Sequence, residues 1–336
     1  MRPRQHHYVP CCYIRPFSNA EGLVAVYDKW HRIPRFVTRP ANILKERDYY
    51  AQPVHAEQRF DDVIERFFSD IETRWPSIIA ALIDREPLTT EMREAFFSLQ
   101  GSLRVRVPNT RKAVEHCLRT KVWSAAEDLG EPVPPDIVRK FAIAHPELLL
   151  QSSVTLKMLI EAGAVIVSID PHRSIHAMPA LARHFSTILA RTRGVSLLHN
   201  RTPVDFVTSD NPIIFLSREG GAVLPYPFEP QSLEYLFVIT PRLAAYFNSA
   251  ERQTREHRDL WSEKTARKIN DLVAQFADRF VVGQMEGLGD WLDKWRLAPT
   301  PDIGRSVVTE EGHCMLQYEF GQPLHMPAWA TDFSDP

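Results

Sequence analysis

The sequence predicts an α+β fold, laid out as one large unit over residues 1–336, and three observations carry that expectation. Short β-branched and aromatic runs occur near the start and again after Gly194. Between them the apolar residues recur with the helical period. The 26 prolines outnumber the 13 glycines, which cuts the chain into many short elements with defined breaks. Strands, then helices, then strands fit an α+β arrangement better than an alternating one. The N-terminal strands are expected to join those of the second half in a small mixed or antiparallel sheet, with the middle helices as one insertion.

Leu23 to Tyr27 and Ile33 to Thr38 read as a hairpin, with turn residues around each run. The period then changes. Phe60, Val63, Ile64, Phe67, Phe68 and Ile71 form one apolar helix face, which Pro76 is expected to end. A second helix is expected over about 90–106, with Met92, Phe96, Leu99 and Leu103 inward and Pro108 as its breaker. Asn109 would cap a third helix through Val114, Cys117, Leu118 and Trp123. Pro132 to Pro135 makes residues 131–135 the best candidate sub-boundary. Further helices are expected over about 136–144, 147–161 and 174–191.

After Gly194, strands are expected at 195–198, 205–208, 213–216, 235–239 and 244–247, with turns at 200–203 and 209–212. A last long helix would hold Ile269, Leu272, Val273, Phe276 and Phe280 on one face. The acidic tail, 299–336, reads as partly irregular with one short strand near Met315 to Phe320.

Charge and composition bound the function. Lys and Arg total 40 against 42 Asp and Glu, a net of −2, which excludes a chain coated in positive charge. The distribution is uneven: residues 1–47 carry nine basic and three acidic groups, and residues 101–125 six and one. Residues 284–336 carry nine acids and three bases. Such basic segments are either ordinary solvated faces or a surface for nucleic acid or another anionic ligand. No run of 18 apolar residues is present and no apolar stretch follows Met1 to His7, so neither a membrane partner nor a signal peptide is expected. The four cysteines form no C-x-x-C pair and suit a reducing, cytoplasmic setting. Oligomeric state is not encoded in any of these patterns.

The densest polar segment is His6-His7-Tyr8-Val9-Pro10, followed by Tyr13-Ile14-Arg15-Pro16-Phe17-Ser18. A Thr208-Ser209-Asp210-Asn211-Pro212 turn follows a strand in the second half, and Asn270 precedes an apolar run on a late helix. In this ordered set, across nearly its whole length, the chain resembles the family catalogued as domain of unknown function number 4238. The resemblance implies an Arg near Arg104 but no activity. Cys11 and Cys12 stand where that family more often has a polar residue and an aromatic, so it gives the two thiols no shared role.

The residues themselves carry two candidate polar sites. Histidine moves protons near neutral pH and ligates metals, but neighbours on a strand face opposite ways, so His6 and His7 are expected to do different jobs. Asp210, held by its turn, suits a general base or metal ligand, with Ser209 and Asn211 beside it. The same residues equally suit a purely structural Asx turn. Arg104 and Arg106 end a helix, where they complement its dipole or offer a fork for phosphate. Asn270 bonds either backbone or a polar site. Asp28-Lys29 resembles half of a nuclease D…(D/E)-x-K pattern but lacks the matching upstream carboxylate. No G-x-S-x-G, Walker loop or H-E-x-x-H is present. The leading expectation is a phosphodiester hydrolase, nuclease-like, with His6, His7 and Asp210 catalytic. Arg104, Arg106, Ser209, Asn211 and Asn270 would bind substrate, and a divalent metal ion is one cofactor such a site would accept. The rivals are a nucleic-acid or nucleotide-binding module without catalysis, and an interaction protein whose motif merely locks the N-terminal segment into the sheet.

Overall fold

A computed structural model describes residues 5–31, 34–50, 52–53, 60–61, 63–165, 171–190, 194–216, 222–223, 234–248, 255–284, 288–295, 302–308 and 314–319. In chain order the N-terminal part holds β1 (Gln5–His7), α1 (Cys11–Ile14), β2 (Val24–Asp28), β3 (Arg35–Thr38), β4 (Lys45–Arg47), β5 (Gln52–Pro53) and β6 (Phe60–Asp61). The helical middle holds α2 (Val63–Glu72), α3 (Trp75–Ile83), α4 (Thr90–Arg106), α5 (Pro108–Leu129), α6 (Pro135–Phe141), α7 (Leu156–Glu161) and α8 (Pro171–Ala190). The second half holds β7 (Gly194–Asn200), β8 (Thr208–Ser209), β9 (Ile213–Leu216), β10 (Ala222–Val223), β11 (Glu234–Thr240), β12 (Leu243–Asn248) and β13 (Arg255–Leu260). It ends with α9 (Glu263–Phe276), β14 (Phe280–Gly283), β15 (Asp302–Val308) and β16 (Cys314–Glu319). This is an α+β protein.

The two main sheets explain how distant segments meet. One runs β13-β7-β12-β11-β9 and is antiparallel except for the parallel β13–β7 pair. The other, β3-β2-β14-β8, joins the N-terminal hairpin to strands of the second half. The chain therefore closes on itself, with the helices inserted between. Aromatic packing seals the joint. Tyr13 of α1 stacks on Phe237 of β11 at 5.5 Å between ring centroids, and Trp75 of α3 stacks on Phe96 of α4 at 6.1 Å. The Tyr13 hydroxyl lies 2.6 Å from Thr208 Oγ1 and donates to the Val238 carbonyl at 2.6 Å. Helices α4 and α8 cross closely at Gly101, where a β-carbon would overlap Ser186 Oγ and the Ala182 carbonyl. A smaller core of Val138, Leu148, Val154 and Leu159 begins just after residues 131–135.

Several local expectations give way to backbone chemistry. Pro76 does not end a helix; it sits in the first turn of α3, where its missing N–H costs nothing. Pro108 does break the 90–106 helix, since α4 stops at Arg106, but it also opens α5, so Val107 takes the capping position and Asn109 lies inside the helix. The 147–161 helix is split into a 3-10 turn, Pro146–Leu150, and α7, which Thr155 caps through the Met158 N–H. The strand expected at 205–208 shrinks to Thr208–Ser209. Phe280 belongs to β14, because α9 stops at Phe276. The tail contributes two strands, β15 and β16, that pair as a hairpin with β10 beside them. Residues 320–336 lie outside the described residues.

Candidate functional site

Three elements converge on Asp210: the β8–β9 turn that carries it, the segment leaving α9, and the start of β14. The Asp210 carboxylate accepts the backbone N–H groups of Asp278 at 2.8 Å, Arg279 at 2.7 Å and Phe280 at 2.9 Å. Its own N–H donates to the Phe280 carbonyl at 3.1 Å. Ser209 Oγ accepts the Asn211 N–H at 3.1 Å, and Asn211 Nδ2 donates to the Phe276 carbonyl at the end of α9 at 3.1 Å. Arg104 Nη1 reaches Asn211 Oδ1 at 3.4 Å, with its guanidinium 5.0 Å over the Phe215 ring. The turn is thus a staple between α4, α9 and β14.

Lys29 lies beneath this staple and is fully buried. Its Nζ donates to the Ala274 and Ala277 carbonyls at 3.2 and 2.8 Å, which closes the C-terminal end of α9. Burial lowers its pKa, while the charges of Asp210 and Asp278 oppose that shift. One buried cation therefore faces two buried carboxyls. Asp278 is 7% exposed, and among the described residues its carboxyl has neither a hydrogen bond nor an ion pair. Burial raises Asp278, opposed by Lys112 and Lys29. Burial also pushes Asp210 up to about 7, the Asp278 charge adds to this, and the three N–H donors pull the other way. The three donors favour charge on Asp210, while burial holds both carboxyls above the ordinary aspartate range.

Asp210 and Asp278 open into a cleft of about 410 Å³ whose walls include Tyr8, Trp30, Lys112 and Arg279. Arg279 is held three ways. Asp210 fixes its N–H, Asp28 takes Nε and Nη2 at 3.0 and 2.6 Å, and the guanidinium lies 4.5 Å over Phe280 and 5.5 Å over Trp30. Burial alone would raise Asp28, but this fork lowers it on balance. Lys112 is exposed and makes no ion pair among the described residues. A larger groove of about 600 Å³ between α4 and α8 holds no buried titratable group. A third cleft, about 480 Å³, has its arginines matched: Arg201 by Asp259 and Arg242 by Asp205.

The two histidines make their polar contacts with other groups, although β1 pairs them with Glu46 and Lys45, which lie on the cleft wall. His6 points inward from β1, accepts the Tyr50 N–H on Nδ1 at 3.0 Å and stacks on the Tyr50 ring at 5.5 Å. Its Nε2 lies 3.3 Å from Glu65 Oε2. His7, on the opposite side of the strand, has its pKa lowered by burial and by Lys45 and Arg106. Its carbonyl accepts from the Tyr50 hydroxyl and from Arg106. Arg106 is buried against Phe68, and it donates to Tyr50 and Glu72 at 2.7 and 2.5 Å. Neither histidine hydrogen bonds to Asp210 among the described residues. Asn270 takes the Val207 N–H on Oδ1 at 3.0 Å and gives its amide to the Asp205 carbonyl at 2.8 Å, so it braces the strand leading to the turn. Of the residues singled out from sequence, Asp210 lines the cleft. Arg104, Ser209, Asn211 and Asn270 support the turn, and His6, His7 and Arg106 form a separate lock on the N-terminal segment. Sequence reasoning missed Asp278, Arg279, Lys112 and Trp30. The Asp28-Lys29 pair was the available signal, since both side chains serve this site. Among the described residues no group of three or more His, Cys, Asp or Glu side chains is arranged to hold a metal ion.

A family model described as protein of unknown function (DUF4238) matches residues 5–286. The chain belongs to this family. The matched span contains every residue of the DUF4238 cleft named above, from Tyr8 to Phe280. No curated protein and no solved structure matches the chain. Among the described residues no helix is long and apolar enough to cross a membrane.

Proposed function

We propose that this protein is a phosphodiester hydrolase whose proton-transfer group is Asp278. The observation that carries the reading is a nearly buried carboxyl without a partner, facing a cleft that also holds the unpaired Lys112. A buried charge without a partner is costly, so such groups are retained for chemistry more readily than for stability. In the proposed reaction Asp278 takes a proton as the oxygen of water attaches to phosphorus, and returns it to the leaving oxygen as that P–O bond breaks. Lys112 and Arg279 stabilise the phosphoryl oxygens. Asp210 holds the segment that carries Asp278, and the His6 and Arg106 cluster secures the N-terminal wall. A divalent ion remains part of the proposal as an assay variable. The reading assumes a cytoplasmic setting, in keeping with the free thiols of Cys11 and Cys12.

The alternative, a nucleotide or nucleic-acid binder without turnover, is favoured by the full use of Asp210 as a backbone acceptor, which leaves a single carboxyl for chemistry. Cleavage of single- and double-stranded substrates and of small phosphodiesters, with Mg²⁺, Mn²⁺, Zn²⁺ and chelator in separate reactions, decides between them. The wild type should turn over and Asp278→Asn should lose about 10²–10⁴ in rate. Equal rates for the two proteins would remove Asp278 from the chemistry, and no turnover under any condition would leave the binder.

A further inference from the structure

We infer that the Asp278 cleft takes a single nucleotide unit, with its phosphate on Arg279 Nη1 and Lys112 Nζ and its ring on Trp30. The inference rests on reading the cleft as a phosphoester site, and it names what that site recognises. Three observations support it.

The first is an arginine with half of its fork left open. Asp28 occupies Nε and Nη2 of Arg279, while Nη1 has no partner among the described residues. The side chain is 40% exposed. A guanidinium already fixed by a carboxylate, a backbone bond and two rings loses little further freedom when it meets an oxyanion. Lys112 adds a cation without an ion pair among the described residues on the same cleft wall. Asp278, unpartnered and over nine-tenths buried, faces the same space and accommodates a phosphate oxygen when it carries the proton.

The second observation is exposed aromatic surface beside those cations. Trp30 is 48% exposed and Phe36 41%, both on the cleft wall. Trp30 is also held in place, since its backbone N–H donates to Asp28 Oδ1 at 3.0 Å and the Arg279 guanidinium lies over its ring. An indole kept open to solvent next to a phosphate donor suits a planar heterocycle, which stacks without regard to base identity.

The third observation is size. A volume of about 410 Å³ suits one small ligand and leaves no room for a duplex.

Calorimetric titration of the intact protein tests this, without metal and at low salt. The probes are the adenosine, guanosine, cytidine and uridine 5′-monophosphates, the matching nucleosides, inorganic phosphate, and a single strand of about 15 nucleotides. The monophosphates should bind about tenfold or more tightly than nucleosides or inorganic phosphate, since both halves of the site are then engaged. Trp30→Ala should weaken monophosphate binding about 5- to 150-fold and leave inorganic phosphate unchanged. Lys112→Ala should weaken monophosphate and spare the nucleosides. Both side chains are exposed, so the fold should survive. Nucleosides binding as tightly as monophosphates, or indifference to Trp30→Ala, would overturn the inference. So would a single strand binding about tenfold more tightly than the best monophosphate, because the site would then read a polymer. Failure of the hydrolase reading is separately visible. Monophosphate binding without cleavage of any phosphodiester removes the enzyme and keeps the nucleotide site, whereas cleavage without such binding does the reverse.

Discussion

Replacing Asp210 by Asn separates stapling from chemistry. The wild-type carboxylate accepts three backbone N–H groups, one on Oδ1 and two on Oδ2. An asparagine has only one acceptor oxygen. If that oxygen faces Arg279 and Phe280, the amide NH₂ meets the Asp278 N–H, donor against donor; the flipped amide strands two N–H groups instead. At least one buried donor is left unpaired, at a cost of about 1–3 kcal/mol. For 336 residues the unfolding entropy at the midpoint is about 0.7 kcal/mol/K, so the melting temperature should fall by about 1.5–4 °C. Asp278→Asn is the control. Its carboxyl makes no hydrogen bond, so the substitution should leave the melting temperature unchanged or raise it while abolishing turnover. Scanning fluorimetry and a cleavage assay on the same preparations read both quantities. An Asp210→Asn protein that melts with the wild type, or an Asp278→Asn protein that melts several degrees lower, would refute this division of roles.

The same pair sets a pH dependence. Both carboxyls sit above the ordinary aspartate value, so between about pH 4 and 7 the native state binds more protons than the unfolded chain. Stability should therefore fall as pH rises through that window, and Asp278→Asn should flatten the fall in denaturant titrations. His6→Ala should cost about 1–3 kcal/mol by orphaning the buried Tyr50 N–H, with cleavage per folded molecule unchanged. Asn270→Ala should cost more, about 2–6 kcal/mol by the same denaturant titrations, because both the Val207 N–H and the Asp205 carbonyl lose their partner. Gly101→Ala should force α4 from α8 and lower stability by about 1–3 kcal/mol or more, measurable by chemical denaturation.

The fold was legible where periodicity and breakers agreed. The 90–106 helix matches α4, which Thr89 caps by accepting the Met92 N–H. The joining of the N-terminal hairpin to later strands followed from strands lying at both ends of a helical middle. Pro76 misled because position within a helix decides a proline's effect and it starts α3, and beside Pro108, which did end α4, the cap fell on Val107 instead of Asn109. The site was half legible. Asp210 announced itself through its turn. Asp278 did not, because Phe276 and Phe280 four residues apart imitate one more turn of an apolar helix face. The Asp278 N–H donated to Asp210 and the Ala277 carbonyl that accepts from Lys29 show that the helix has already stopped there. The surroundings of the two histidines also lie beyond sequence reasoning, because Tyr50, Glu65 and Arg106 reach them from other elements.

The pairing of β2 with β14 sets a schedule for synthesis. Asp28 and Lys29 leave the ribosome some 250 residues before Arg279 and Ala277, the groups they bind. At about 5–20 residues per second the early hairpin waits roughly 12–50 seconds for its neighbour strand. Throughout that interval the edge of β2 that will receive β14 is unpaired. Ribosome-bound chains stalled before residue 280 should therefore carry an N-terminal segment that proteases cut readily.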